Sequence, residues 1–392
     1  MRICPLSIAA LLGCALSTAI GVDGVTANEI ALGQSASLSG ATADLGTGIN
    51  IGLQSCLNEV NLKGGIHGRR LRLVAIDDGY DPTRCLDAVL RLIEEDKIFC
   101  LTGLVGTPTA KIAEPVISEA KVPVIGLFTG AGFLRQPVKR YVFNVRASYN
   151  DETESLVERL IKDLGSKRIA VFYQNDAFGR AGLSGTEAAL KRRGLVLVGS
   201  GAFERGTLDV QAGLAAVVAA RPDAVVMVGP AKPVAAFVRA ARLAHLDTPL
   251  ATISFVGTET LIRELSTEAE NIIISQVVPS PVDLTLPLVK EYQTAIQASF
   301  PEKLPSYVSL EGYVYGRVLC LALERAGREL SRERLVDTLD GLAGINLGGM
   351  NISLAKDNHQ ASNHVFITQV SKGRATPIAT IAASVSPPAR TE

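Results

Sequence analysis

From residue 29 to about 278 the apolar positions switch repeatedly between two periods. Short β-branched, apolar runs alternate with stretches whose apolar residues recur at helical spacing, the signature of strands and helices taken in turn. Ile30 to Leu38 predicts a first strand. Residues 45–61 predict a helix with its apolar face at Ile49, Leu53, Cys56, Leu57 and Val60. Leu71 to Ile76 predicts a second strand, and Pro82 opens a helix to about Asp96, at a position where the missing N–H costs little. Ile98 to Thr102 is a third strand, Pro108 opens a third helix, and Val122 to Phe128 and Tyr141 to Val145 follow as strands.

The rhythm restarts near Tyr149. Helices over 150–164, 178–193, 207–220, 231–244 and 257–265 separate strands over 168–173, 195–201, 224–228, 250–253 and 272–278. Two similar strand–helix arrays argue for two doubly wound α/β lobes, each of three layers. The last third breaks the alternation: 284–299, 308–328 and 331–342 read as helices and 346–383 as extended strands. At 392 residues the chain is long enough for two cores.

The run from residue 61 to 82, NLKGGIHGRRLRLVAIDDGYDP, carries the most information. Gly64 and Gly65 end a helix without a Cβ penalty, a strand follows, and Asp77 and Asp78 mark its exit toward the sheet edge. This run resembles the solute-binding proteins of branched-chain amino-acid ABC transporters, which have the type I periplasmic-binding fold. The resemblance spans residues 29 to about 385. It implies that the chain crosses between lobes three times, near Val145–Tyr149, Val277–Pro281 and Gly349–Leu354. Residues 28–147 with 280–350 then form lobe one, 148–279 with 351–392 form lobe two, and the crossings act as a three-strand hinge.

Composition changes little in this picture. Apolar residues make up 47%, charged residues 20%, and the formal net charge is zero, so nothing argues for nucleic acid. Trp is absent, which leaves Tyr, Phe, hydroxyls and backbone amides to line a site. Residues 1–27 read as an export signal: Arg2, then an apolar stretch from Ile3 to Ile20, with small residues at Val25-Thr26-Ala27 for cleavage. Leu11-Leu12-Gly13-Cys14 supports a competing lipoprotein reading, with an anchor on Cys14. Cys56, Cys85, Cys100 and Cys320 remain beyond this segment, in a compartment where pairing occurs. Cys56 and Cys85 are the tempting pair, although the first two helices are expected on opposite faces. Cys100 and Cys320 sit in apolar segments and read as buried free thiols.

Ligands of open α/β sheets bind beyond the carboxyl ends of the strands. In lobe one, residues 37–46, 77–81, 103–109 and 129–131 fall there. Gly106 lets backbone approach a ligand, and the N–H groups that open the following helix suit a carboxylate, with the Thr107 hydroxyl beside them. Any one such Ser/Thr loop also reads as a simple helix cap. The resemblance implies that the loops after the third and fourth strands hold the ligand's α-carboxylate and amino group, at Gly106, Thr107, Thr129, Gly130 and Ala131. In lobe two it places Phe178 against the ligand where relatives often carry Tyr. After the fourth strand of that lobe, Ser254-Phe255-Val256-Gly257 offers Phe255 but lacks the acid that amino-acid binders use for the ammonium. A carboxylate, amide or aromatic acid then fits as well as a branched-chain amino acid. Asp78 and Glu311 are alternative charges, although a solvated or structural role is the first expectation for either, and Tyr80 and Tyr149 either stack on the ligand or pack the core or hinge.

Enzyme readings fail on spacing. Gly46-Thr-Gly48-Ile-Asn-Ile-Gly52 is not the dinucleotide pattern and lies too far after its strand. There is no GK[ST], HExxH or G-x-S-x-G motif, and the four His have no evident acid or nucleophile partner. The expectation is therefore a cofactor-free, non-enzymatic, monomeric receptor, exported to the periplasm. It would close on a small ligand and present it to an ABC permease. A sensor of the same fold is the alternative.

Overall fold

A computed structural model describes residues 22–381. The apolar runs form strands and the amphipathic stretches form helices in the expected order. Lobe one begins with β1 (Glu29–Ala36), α1 (Ala43–Leu62), β2 (Arg70–Asp77), α2 (Pro82–Glu94), β3 (Cys100–Val105), α3 (Thr107–Glu119), β4 (Val124–Phe128) and β5 (Val142–Phe143). These strands form a parallel sheet in the order β2-β1-β3-β4-β5. Lobe two follows with α4 (Tyr149–Leu164), β6 (Ile169–Gln174), α5 (Ala177–Lys191), β7 (Gly199–Phe203), α6 (Gln211–Ala219), β8 (Ala224–Val228), α7 (Ala231–Leu243), β9 (Leu250–Thr252), α8 (Thr258–Leu265) and β10 (Ile273–Gln276).

The chain then returns to lobe one as α9 (Pro287–Ser299), α10 (Tyr307–Ala326), α11 (Arg332–Leu339) and the hairpin β11 (Ile345–Asn346) and β12 (Asn351–Ile352). It ends in lobe two, where β13 (Phe366–Ser371) and β14 (Arg374–Pro377) extend the sheet antiparallel beyond β10. The order there is β14-β13-β10-β9-β8-β6-β7. The C-terminal helices belong to lobe one because α1 and α10 press backbone to backbone. A Cβ on Gly52 would lie 1.9 Å from the Ser309 carbonyl oxygen, and one on Gly312 2.3 Å from that of Ile49. Only glycine permits that approach, and it lets α10 be buried along most of its length.

One crossing differs from the sequence reading for a physical reason, and the N-terminal segment and the cysteines, left open there, can be described. The third crossing falls later than Gly349–Leu354. β12 is still paired to β11, Leu354 N–H donates to Leu342 O (2.8 Å), and only at Gln360, bridged to Asn144, does the chain join the hinge. Residues 22–27, placed in the leader by the cleavage reading, are packed on lobe one. Ala31 N–H donates to Gly24 O (2.8 Å), Arg69 Nε to Thr26 O (2.8 Å), and Val25 bridges Ile30. The Cys56–Cys85 pair is absent. Cys56 is buried against α10, where the Cys320 thiol beside it and burial push its pKa up, while Cys85 lies against Ser35 and Thr109. The remainder of the proposed leader, Cys14 included, and the end of the tail lie outside the described residues.

Candidate ligand-binding site

β3 and β4 end side by side on the face that lobe one turns toward lobe two. β3 runs into Gly106 at φ +106° and then directly into α3. The first-turn N–H groups of Thr107 and Thr109 therefore emerge at the strand ends, without intrahelical acceptors. β4 runs into Thr129, whose hydroxyl sits 2.6 Å from that of Thr107. Tyr149, the first residue of α4, lies flat on the next residue: Gly130 O accepts its N–H at 2.8 Å, and a Cβ on Gly130 would stand 2.5 Å from its Cδ1. The phenol oxygen of Tyr149 is buried beside the Thr129 and Thr107 hydroxyls without completing a hydrogen bond. Burial pushes its pKa up, opposed by the Arg146 charge and by the two threonines. Ala131 is fully buried; its N–H reaches Thr129 Oγ1 (3.3 Å) and its carbonyl accepts from Arg135 (3.0 Å).

Aromatic rings close over this polar corner. Phe178 comes from the first turn of α5, which Asp176 caps by accepting Phe178 N–H and Gly179 N–H. Phe255 comes from the turn after β9. The Phe255 ring stacks on Phe128 of lobe one at 5.1 Å between centroids, sits 4.4 Å from Phe178 and 6.2 Å from Tyr80, and Phe178 in turn lies 5.4 Å from Tyr149. All five rings are buried, so one apolar core runs from lobe to lobe through them.

Beneath the rings lies a charge cluster at the hinge. Arg146, in the first crossing, is fully buried, with its guanidinium 5.0 Å from the Phe128 ring centroid and 5.8 Å from that of Tyr149. It pairs with Glu152 of α4 (2.9 Å), donates to Ser254 Oγ, and lies 3.4 Å from Glu311 of α10. Burial works against this cation, but Glu311 and Glu152 outweigh it and hold its pKa above the usual arginine value. Glu152 also accepts from Ser254 N–H (2.8 Å) and Ser275 Oγ (2.7 Å). Glu311 accepts from Tyr315, and burial pushes it up to about 6 despite Arg146. One side chain thus joins the hinge to both lobes.

The rim is latched as well. Arg205 of lobe two donates to Tyr80 O (2.7 Å), Asp44 of α1 accepts from Thr260 (2.8 Å) and Arg263 (2.5 Å), and Glu259 accepts from Tyr307 N–H (3.0 Å). The lobes are therefore closed on one another.

All nine candidates from the sequence, namely Tyr80, Gly106, Thr107, Thr129, Gly130, Ala131, Tyr149, Phe178 and Phe255, meet at or behind this seam. Asp78 does not present a free charge there: its oxygens accept from Ser35 Oγ (2.7 Å) and Tyr80 N–H (2.8 Å). Sequence reasoning missed Phe128, Arg146, Glu152 and Arg205. An arginine inside the apolar stretch Val142–Ala147 was the available signal for Arg146. Among the described residues no cluster of His, Cys, Asp and Glu could hold a metal ion.

A sequence profile described as "Periplasmic binding protein" matches residues 29–375. The chain belongs to the periplasmic binding protein family. This family consists of solute-binding proteins rather than enzymes, and the two lobes have its type I fold. A possible leucine/isoleucine/valine-binding protein from Rhodopirellula baltica SH 1 superposes with a TM-score of 0.87 at 36% identity, covering 92% of this chain and 98% of that one. The Leu/Ile/Val-binding protein homolog 7 of Brucella suis biovar 1 is 28% identical over 52% of this chain and 51% of its own length. The homolog 7 of Brucella melitensis biotype 1 is 24% identical over 97% of each chain. With the first curated relatives the match spans about half of their length. Among the described residues of this periplasmic binding protein, no helix is long and apolar enough to cross a membrane.

Proposed function

We propose that the chain is the extracytoplasmic receptor of an ABC importer and binds a small carboxylate between its lobes for delivery to a membrane permease. The observation that carries this reading is the polar corner at the interlobe seam. Two buried threonine hydroxyls, an unpaired tyrosine hydroxyl and the open first turn of α3 all face one spot. Helix N-termini and buried hydroxyls attract a carboxylate, and burial strengthens each hydrogen bond to it. Closure would hold the ligand against Phe178 and Phe255, so the permease would read ligand as a population of closed receptor. The Leu/Ile/Val-binding relatives support this role.

The test is thermal unfolding of protein stripped of ligand by denaturation and refolding, screened against short aliphatic and aromatic carboxylates and branched-chain amino acids. A ligand at a hundred times its Kd adds about 2.7 kcal/mol of stability. A raised midpoint that disappears in Thr107→Val supports the reading. No shift with any member of the panel overturns it.

A further inference from the structure

The charges around the seam narrow the ligand class. We infer that the site takes a carboxylate with an apolar, ring-sized body and no ammonium group; this rests on the receptor reading above. The anion end is the Thr107–Thr129–Tyr149 corner, where the buried phenol hydroxyl has no partner in the protein. An α-ammonium would lie a few ångströms from that carboxylate and would need an acid of its own. At the rim Asp44 is taken by Thr260 and Arg263, and Glu259 accepts Tyr307 N–H; the acids behind the rings are engaged too. Asp78 is held by Ser35 and Tyr80 N–H. Asp176 receives Phe178 N–H (2.9 Å) and Gly179 N–H (3.2 Å) on one oxygen and Gln174 Nε2 (2.6 Å) on the other, with Arg205 at 4.0 Å. Glu152 and Glu311 share Arg146; Glu152 also accepts from Ser254 and Ser275, and Glu311 from Tyr315. A buried charge without a partner is strongly disfavoured, so an ammonium here lowers affinity.

The rings do not replace the missing acid. Aromatic faces attract cations, but three of the five are already faced by cations, and Phe178 and Phe255 carry no formal negative charge: Arg146 stands over Phe128 and Tyr149, and Arg205 lies 5.9 Å from the Tyr80 centroid. A second cation against the same rings would meet like charge. What the rings offer is apolar area. When the lobes part, Phe255 leaves Phe128 and Tyr80. A ligand that enters has to supply the contacts those rings lose, which an apolar, planar body does best.

Calorimetric titration of the stripped, refolded protein with matched pairs tests this directly. The pairs are 3-phenylpropanoate against phenylalanine and 4-methylpentanoate against leucine, with 3-phenylpropylamine as the ammonium without a carboxylate. The expected result is that the ammonium-free acid of each pair binds at least tenfold more tightly. The amine should not bind, and Phe255→Ala should weaken 3-phenylpropanoate tenfold or more while Thr107→Val abolishes its binding. Leucine or phenylalanine binding as tightly as its ammonium-free partner overturns the inference and leaves the receptor reading standing. Binding of the amine overturns the anion end. Silence from every probe overturns the inference and the carboxylate receptor together.

Discussion

Replacing Arg146 by leucine should be among the most damaging single changes in the chain. The guanidinium is fully buried and serves two carboxylates, Glu152 at 2.9 Å and Glu311 at 3.4 Å, as well as Ser254 and the faces of Phe128 and Tyr149. Leucine fills much of the aliphatic volume, so the cavity contribution is small. The dominant cost is the charge left behind. Glu152 keeps Ser254 N–H and Ser275, but Glu311 keeps only Tyr315 and has no cation paired with it. Removing one partner of a buried ion pair costs about 3–5 kcal/mol. At a denaturant slope of about 4 kcal/mol per M, reasonable for a chain of this size, the urea midpoint should fall by about 1 M. The double variant Arg146→Leu with Glu311→Gln removes the orphaned charge and should recover at least half of the loss. Urea titration followed by circular dichroism at neutral pH reads both values. A loss under about 1 kcal/mol, or no recovery in the double variant, would show that these groups are hydrated in solution and that the lobes do not close as described.

Further outcomes follow from the same structure. Burial raises Glu311 from its usual 4.5 to about 6, so the fold favours its protonated form. That contribution is fully present below pH 4.5 and lost as pH rises through about 6, and Glu311→Gln should flatten this part of the stability–pH curve. A chain beginning at Asn28 lacks the Gly24, Val25 and Thr26 contacts to lobe one and should be about 2 kcal/mol less stable than one beginning at Val22, seen as a lower Tm. Equal midpoints would show that the segment contributes nothing. Gly52→Ala drives a methyl into the Ser309 carbonyl and should cost more than about 3 kcal/mol in the same assay, whereas Gly64→Ala, with nothing near its Cβ, costs only the strain of its positive φ. A thiol titration without reductant should find Cys56, Cys85, Cys100 and Cys320 unreactive in native protein and all four reactive in denaturant.

The order of elements, the two lobes and most of the seam were legible in the chain itself. Apolar runs of period two, helical spacing between them and small polar loops at strand ends are local patterns, and the topology of a doubly wound sheet carries those loops to one edge. That is why Thr107, Thr129, Phe178 and Phe255 could be named from spacing and resemblance. Other features depend on groups far apart in sequence, and only the folded chain shows them. Arg146 and Glu311 lie 165 positions apart and meet only because the chain returns to lobe one through α9 and α10. The third crossing was misplaced because β12 looks like any short extended run until its pairing with β11 is seen. Residues 22–27 read as leader because small residues mark a cleavage site, whereas their hold on lobe one depends on Arg69 and on backbone beyond Asn28. Sequence period determines which face of an element is apolar. Which charges share a low-dielectric site, and which hydroxyl is left without a partner, is decided only when the lobes meet.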